Sequence, residues 1–450
     1  MKSLFFLSLF LVNTFIYSQN DNVFLLDKWT KSGLPSCSSD GENVFNEVWG
    51  VEINNLRFAV LGSTMGTHFI EIAADNSLSE VDFVQGKHFG NVIWRDFHDY
   101  NGYLYAVCDQ PGYVSSLQIM DMRFLPDSVS VVYDSSELII RAHNIFIDTS
   151  TARLYACSVL TPNGSFPLAV YDLSNPISPS LIGTYEGVDV VHDAYVINDT
   201  AYLNCGYEGL KVVKFNDIGI PVQLGELDIY IDKGYNHSGW LSGDGLSYVM
   251  CDETPSMDIK VLDVSDLDDI HVESTFSSNF YDETLPHNVI VRNQTAYVSY
   301  YNDGLQIFDI SNTSNPKRLG FYDSYSGSND LQYRGAWGVY PFGNGEKVLL
   351  SDRKSGLFLL GFNPPPILSE NPFSIFPNPA SDFIYFYRNH PGEADYDLLI
   401  YNSLGQLVDS FVSNNDYYLI DLRGYNTGMY YYQYISGFDS QMLSGKFFID

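Results

Sequence analysis

Four histidines head near-identical apolar runs: His143 in "RAHNIFID", His192 in "VVHDAYVI", His237 in "GYNHSGWL" and His287 in "LPHNVIVR". Imidazole nitrogens with carboxylate oxygens beside them make a transition-metal site, zinc or iron being the ions that donor set suits. Asn144, Asp193 and Asn288 directly follow three of the histidines, at the place of residues that orient a ligand imidazole. The same histidines have a structural use, in which a buried ring hydrogen-bonds the backbone of a neighbouring element. Both uses stay open on the sequence.

The histidines are separated by 49, 45 and 50 residues, and the pattern extends to Trp49 and Trp94 before them and Trp337 after. Steps of about 40 to 50 residues match one four-stranded propeller blade. Each repeat has one internal order: a strand from the anchor, a Tyr-rich strand such as "GYLYAVCD", a third such as "LQIFD", and a fourth such as "KRLGFYD". Alternation of period two marks half-buried antiparallel strands, and helical periodicity is absent. The last repeat supplies only three strands. "NVFLLDKWT" at 22–30 is the missing fourth, and its pairing there closes the ring. The expectation is an all-β chain whose residues 20–362 form a seven-bladed β-propeller.

In that architecture the strands at the anchors line a central channel, so the four histidines lie on one arc at its mouth. Trp49, Trp94 and Trp337 complete the ring. The loops after the second strands add Asp109, Glu208, Asp252, Glu253, Asp303 and Asp352. Successive side chains on a strand face opposite ways, so the His and Asn of one pair cannot both face the axis. Asp252 and Glu253 are adjacent and lack the facing geometry of an acid–base pair. Turn capping or weak Ca²⁺ binding are the alternatives for that loop. The tryptophans either stack on a sugar or peptide or pack between blades. No GxSxG elbow, HExxH helix, phosphate-cradling loop or Cys-pair zinc motif occurs.

Fifty-five acidic against 23 basic residues leave a net charge of −32, which repels nucleic acid and anionic lipid. Residues 1–19 have the charge, apolar core and small-residue end of a secretory signal peptide, and no other run is long enough to span a membrane. Of five cysteines, Cys108, Cys157, Cys205 and Cys251 recur at one place in the repeat, too far apart to bridge; they are expected as small buried core residues. A monomer is the expected state.

"NPPPILSEN" at 363–371 is a proline-rich linker, and 372–450 form a separate small β unit. Pro377, Asn378 and Pro379 with Ser381 and Asp382, the Asn402–Gly405 turn, Gly428-Met429-Tyr430 and Gly445-Lys446 stand in order there. This tail resembles the C-terminal sorting domain of type IX secretion cargo in Bacteroidota. The resemblance implies a small Ig-like β-sandwich, recognition by the type IX machinery, and a mature protein either secreted or attached to the outer-membrane surface. The front, through "NEVWGVEI", "AHNIFID", "HNVIV" and "YVSYYNDGLQIFDIS", resembles the choice-of-anchor B family of LVIVD-repeat proteins, a likeness that implies a propeller but no reaction. The resulting reading is an exported binding module with a protein or glycan ligand. Its alternative is a metal-dependent hydrolase or oxidoreductase built on the histidines, holding a single zinc or iron ion, or Ca²⁺, in the channel.

Overall fold

Short β-branched and aromatic runs joined by Asn, Asp and Gly turns fold locally into antiparallel meanders. The tightest turns, Asn54-Asn55, Asn101-Gly102 and Asn198-Asp199, hold both central residues at positive φ (53° and 64°, 52° and 79°, 50° and 60°). That is the backbone a two-residue hairpin on twisted strands requires. The computed structural model describes residues 20–38, 41–280, 284–325, 327, 333–364, 373–376, 378–388, 396–413, 417–436 and 442–449. The leader at 1–19, most of the 363–371 linker and Pro377 lie outside the described residues. Two compact units divide after Pro364.

The first unit is a β-propeller. Its seven sheets are antiparallel, and their inner strands are Phe45–Ile53, Arg95–Tyr100, Asn144–Asp148, Asp193–Ile197, Asn236–Leu241, Asn288–Arg292 and Ala336–Phe342. Each inner strand packs against the next, and Ala336–Phe342 returns to Phe45–Ile53. Val23–Trp29 pairs with Gly356–Phe362 as the outer strand of the last sheet, while Asn20–Asp21 pairs with Lys317–Tyr322 of the sheet before it. The start of the chain therefore ties together two sheets formed near the end of the unit.

The core sits between sheets. Leu154 and Ala156 pack toward the sheet of Tyr105 and Ile119, whereas Tyr155 and Cys157 pack toward the sheet of Leu203 and Val213. The half-buried expectation is corrected here. Middle strands such as Tyr103–Cys108 and Ser247–Asp252 are buried throughout, and period two chooses the neighbour that a side chain meets. Only outer strands such as Pro221–Leu227 present one face to water. The fourth strand counted from the channel in every sheet of the unit carries a register shift against the third. Such bulges blunt exposed edges against pairing with other chains. Cys108, Cys157, Cys205 and Cys251, at the repeated position, are buried thiols.

The second unit has a sheet of Phe373–Phe376, Phe383–Arg388 and Tyr417–Asp421, and another of Leu407–Ser413, Tyr396–Asn402, Gly428–Ser436 and Met442–Ile449. Both contribute to one core, in which Phe386 meets Tyr432 and Phe447 at ring separations of 5.2 and 5.7 Å. Deleting residues 20–30 bares the Gly356–Phe362 edge and removes buried Val23 from the core between the last two sheets. The expected result is loss of the cooperative thermal transition seen by circular dichroism; an unchanged midpoint would show that the ring does not depend on this strand.

Candidate functional site

The inner strands bring their heads together around one axis, and the histidines precede or open them. Ring centroids run 4.2 Å from His143 to His192, 3.9 Å from His192 to His237, 4.5 Å from His237 to His287 and 4.3 Å from His287 to Trp337. Trp94 continues the arc beyond His143 at 5.9 Å. His192 Nδ1 hydrogen-bonds the carbonyl of His237 at 3.1 Å, and His287 Nδ1 that of Trp337 at 2.6 Å. Each of these two rings thus ties its blade to the next and keeps Nε2 out of that bond. His143 Nδ1 instead meets Asp109 Oδ2 at 3.0 Å. His237 follows the pattern more loosely: the His287 carbonyl acts on its ring, but Nδ1 makes no close hydrogen bond, and the hydroxyl of Ser238 donates to that carbonyl at 2.6 Å. Burial pushes His192 and His237 well below the ordinary imidazole range, and His287 to about 3. These three rings are neutral at pH 7.

Glu253 joins the arc from the loop after Ser247–Asp252. Its Oε1 accepts a hydrogen bond from the Tyr301 hydroxyl at 2.5 Å, and its Oε2 lies 3.8 Å from His237 Nε2. Burial raises the carboxyl to about 7, against the lowering effect of Tyr301. Above the arc a cavity of about 910 Å³ is lined by Trp94, Asp109, His143, His192, Tyr235, Glu253, Tyr301, Tyr333, Arg334, Trp337 and Arg353. Arg353 lies over the Trp337 ring at 4.4 Å.

Below the arc is a tier of acids and amides: Glu47, Asp96, Asn144, Asp193 and Asn288. His143 and Asn144 both line the channel, as do His287 and Asn288, which corrects the expectation that only one of each pair would. The two histidines stand just before their strands begin, where the pleat does not yet impose alternation. Burial raises Glu47 to about 8 and Asp193 to about 7, and holds Asp96 well above its usual range, with the Glu47 charge adding to the rise. Gly338 leaves the space that Glu47 fills; a Cβ there would collide with Glu47 Oε1. Farther along the inner strands an aromatic ring of Trp49, His98, Phe146, Tyr195, Trp240 and Tyr340 packs edge to edge, with Arg292 between Trp240 and Tyr340.

Trp49 is therefore misplaced by the repeat spacing. It sits in the aromatic ring, its Nε1 donating to Asp99 at 2.8 Å, and not at the histidine mouth. Trp49 stands one residue past the register shift between Phe45 and Val48, the place Tyr340 holds past the same shift between Ala336 and Val339, so the strand position matching Trp337 is Asn46. Asp252, Asp303 and Asp352 also leave the predicted site. Asp252 forms a buried 2.8 Å ion pair with Lys260 and accepts from Tyr230 and the Gly234 amide. Asp303 accepts from the Ser278 hydroxyl, and Asp352 from Ser324 and the amides of Lys354 and Ser355. All three hold the loop crossing from the preceding sheet. Tyr235, Tyr301, Arg334 and Arg353 enter the mouth unpredicted, since loops from other repeats deliver them. In the tail unit, Asn378 and Lys446 line one hollow of about 510 Å³, and Asn378 Oδ1 accepts from the Phe448 amide at 2.9 Å. Pro379 follows Asn378 at the same end of that unit, while Gly405 and Gly428 hold positive φ at a hairpin and at a strand start.

Two outcomes follow from these partners. Lys260→Met leaves the Asp252 charge buried without its cation and is expected to cost about 3–5 kcal/mol, read from urea denaturation. A carboxyl raised in the folded state contributes stability below its unfolded value and loses it as pH climbs through its folded one. Glu47, with Asp96 and Asp193 facing it across the channel, loses that contribution between about pH 4 and 8. The melting temperature should fall from about pH 6.5 to 8, a range above that in which the buried histidines titrate, and Glu47→Gln should flatten the fall. Parallel profiles for the two proteins would exclude Glu47 as the source.

Comparison with known families places residues 374–449 in the secretion system C-terminal sorting domain and matches residues 164–187 and 287–324 to the LVIVD repeat. No curated protein matches the sequence. Among solved structures, PorZ, a surface component of the type IX secretion system of Porphyromonas gingivalis, is similar at 11% identity and a TM-score of 0.48 over 94% of this chain. The chain spans 61% of that protein's length. U3-55K is 8% identical with a TM-score of 0.53, covering 76% of this chain and 98% of that one; the RRP9 WD40 repeats match at 8% and 0.53, covering 76% and 97%. At such identities the likeness concerns the fold alone. No helix among the described residues is long and apolar enough to cross a membrane. With LVIVD repeats on a β-propeller and a type IX C-terminal sorting domain behind them, the chain is an exported protein of the cell surface or the medium.

Proposed function

We propose that the protein is a seven-bladed binding module that takes a glycan at the histidine mouth of its propeller. The mouth cavity supports this reading. Its volume of about 910 Å³ lies within the range of about 300–1,000 Å³ common to ligand sites. Trp94 and Trp337 end the arc on either side, and Tyr235 and Tyr333 add two further rings. Aromatic faces suit the C–H faces of sugar rings, while Arg334, Arg353, Asp109 and Glu253 offer donors and acceptors for hydroxyl groups. Removal of residues 1–19 on export and delivery through the type IX machinery belong to the same reading. The surface charge of −32 keeps such a module soluble outside the cell.

A glycan array probed with the full secreted chain, followed by calorimetry on the hits, tests the assignment. Trp94→Ala and Trp337→Ala should each weaken binding roughly tenfold, as loss of a buried aromatic anchor does. No glycan hit, or tryptophan variants that bind like the parent, would refute it; capture of extended peptides instead would make the mouth a protein-binding surface.

A further inference from the structure

We propose that His237, His287 and Glu253 form a binding site for one divalent transition metal of the zinc class, set in the channel between the mouth cavity and the tier of acids. This inference does not rest on the glycan reading, although Glu253 lines both sites. One donor atom from each of the three residues falls within 4.8 Å of the others. A tetrahedral ion with bonds of about 2.0–2.2 Å spaces its donors by about 3.4 Å, so a side-chain shift of about an ångström closes the site.

The hydrogen bonds leave the required atoms free. His287 donates its Nδ1 proton to the Trp337 carbonyl at 2.6 Å, which places the lone pair on Nε2. Glu253 uses Oε1 for Tyr301 and turns Oε2 toward His237 Nε2, 3.8 Å away. His237 is only 5% exposed; the His287 carbonyl acts on its ring, and its Nε2 lies 3.8 Å from that carboxylate oxygen. Burial keeps both rings in the neutral form that ligates metal.

The donor chemistry selects the ion. Two imidazole nitrogens and one carboxylate oxygen suit zinc or another late first-row cation, whereas Ca²⁺ takes six to eight oxygens. A fourth position lies on the side of His192, whose ring is 3.9 Å from that of His237 and whose Nδ1 is likewise tied to backbone. A cation there also offsets the Glu253 charge that burial disfavours.

The test uses the untagged full chain, stripped with a chelator and titrated with Co²⁺. Surface carboxylates, plentiful at this net charge, hold cobalt six-coordinate and nearly colourless. A four- or five-coordinate nitrogen site gives intense visible bands. The expected result is such a spectrum saturating at about one equivalent and displaced by Zn²⁺. His237→Asn, and Glu253→Gln, which keeps an oxygen for Tyr301, should each weaken cobalt binding more than about tenfold. Their melting temperatures without metal should stay near that of the parent. Absence of the intense bands in the parent, or equal binding in parent and variants, overturns the site. Should a variant not fold, the parent decides alone: a melting temperature unmoved by saturating Zn²⁺ refutes the proposal, because a site present only in the folded state must stabilise it.

Discussion

Every sheet of the propeller is apolar on both faces, and no such sheet is stable with one of them in water. Tyr155 and Leu154 are neighbours in sequence, yet they belong to the cores on opposite sides of one blade. Each blade therefore needs two neighbours, and the only arrangement that satisfies all of them is a closed ring. The ring closes with Val23–Trp29 filling the outer place of the last sheet. The site depends on this closure. Residues 45 to 50 positions apart in the chain come within van der Waals contact of one another only because the strands that follow them are held about one axis.

Convergence about an axis also sets the electrostatics. The channel is stacked in tiers, with the imidazole and indole arc uppermost, then the acids and amides, then the aromatic ring around Trp49 and His98. That ring packs the far end of the channel, so polar groups in between lose water without gaining counter-ions. Desolvation is the largest cause of the neutral histidines and the raised acids, and repulsion between like charges adds to it. Ionisable groups can meet a ligand only at the mouth, where the loops also deliver Tyr301, Tyr333 and Arg353. Blade packing thus supplies a rigid frame, and the loops on one side of it carry the variable chemistry.

Much of the architecture was legible in the residues. The recurrence of the anchor, the three-stranded last repeat and the spare strand at 22–30 all register in a pattern of local period, and the sorting tail registers in short motifs. The site was legible in part. His143, His192, His237 and His287 do meet, and Trp94, Trp337, Asp109 and Glu253 do join them. Trp49 does not, because the shared Trp-Gly-Val stretch aligns it with Trp337 in sequence while the strand register aligns it with Tyr340. Asp252, Asp303 and Asp352 stand, like Asp109, at or just after the ends of second strands, but their carboxylates are consumed in anchoring crossing loops.

The sequence by itself determined the fold class, the repeat and the destination of the chain, because strand periodicity, turn chemistry and an export tail are written in contiguous residues. Only the tertiary structure decided which nitrogen of each histidine is engaged, which acids are free to meet a ligand and which are bound to the frame. Those properties depend on hydrogen-bond partners from other repeats and on the water lost when the blades close together, and neither is encoded within the span of any one strand.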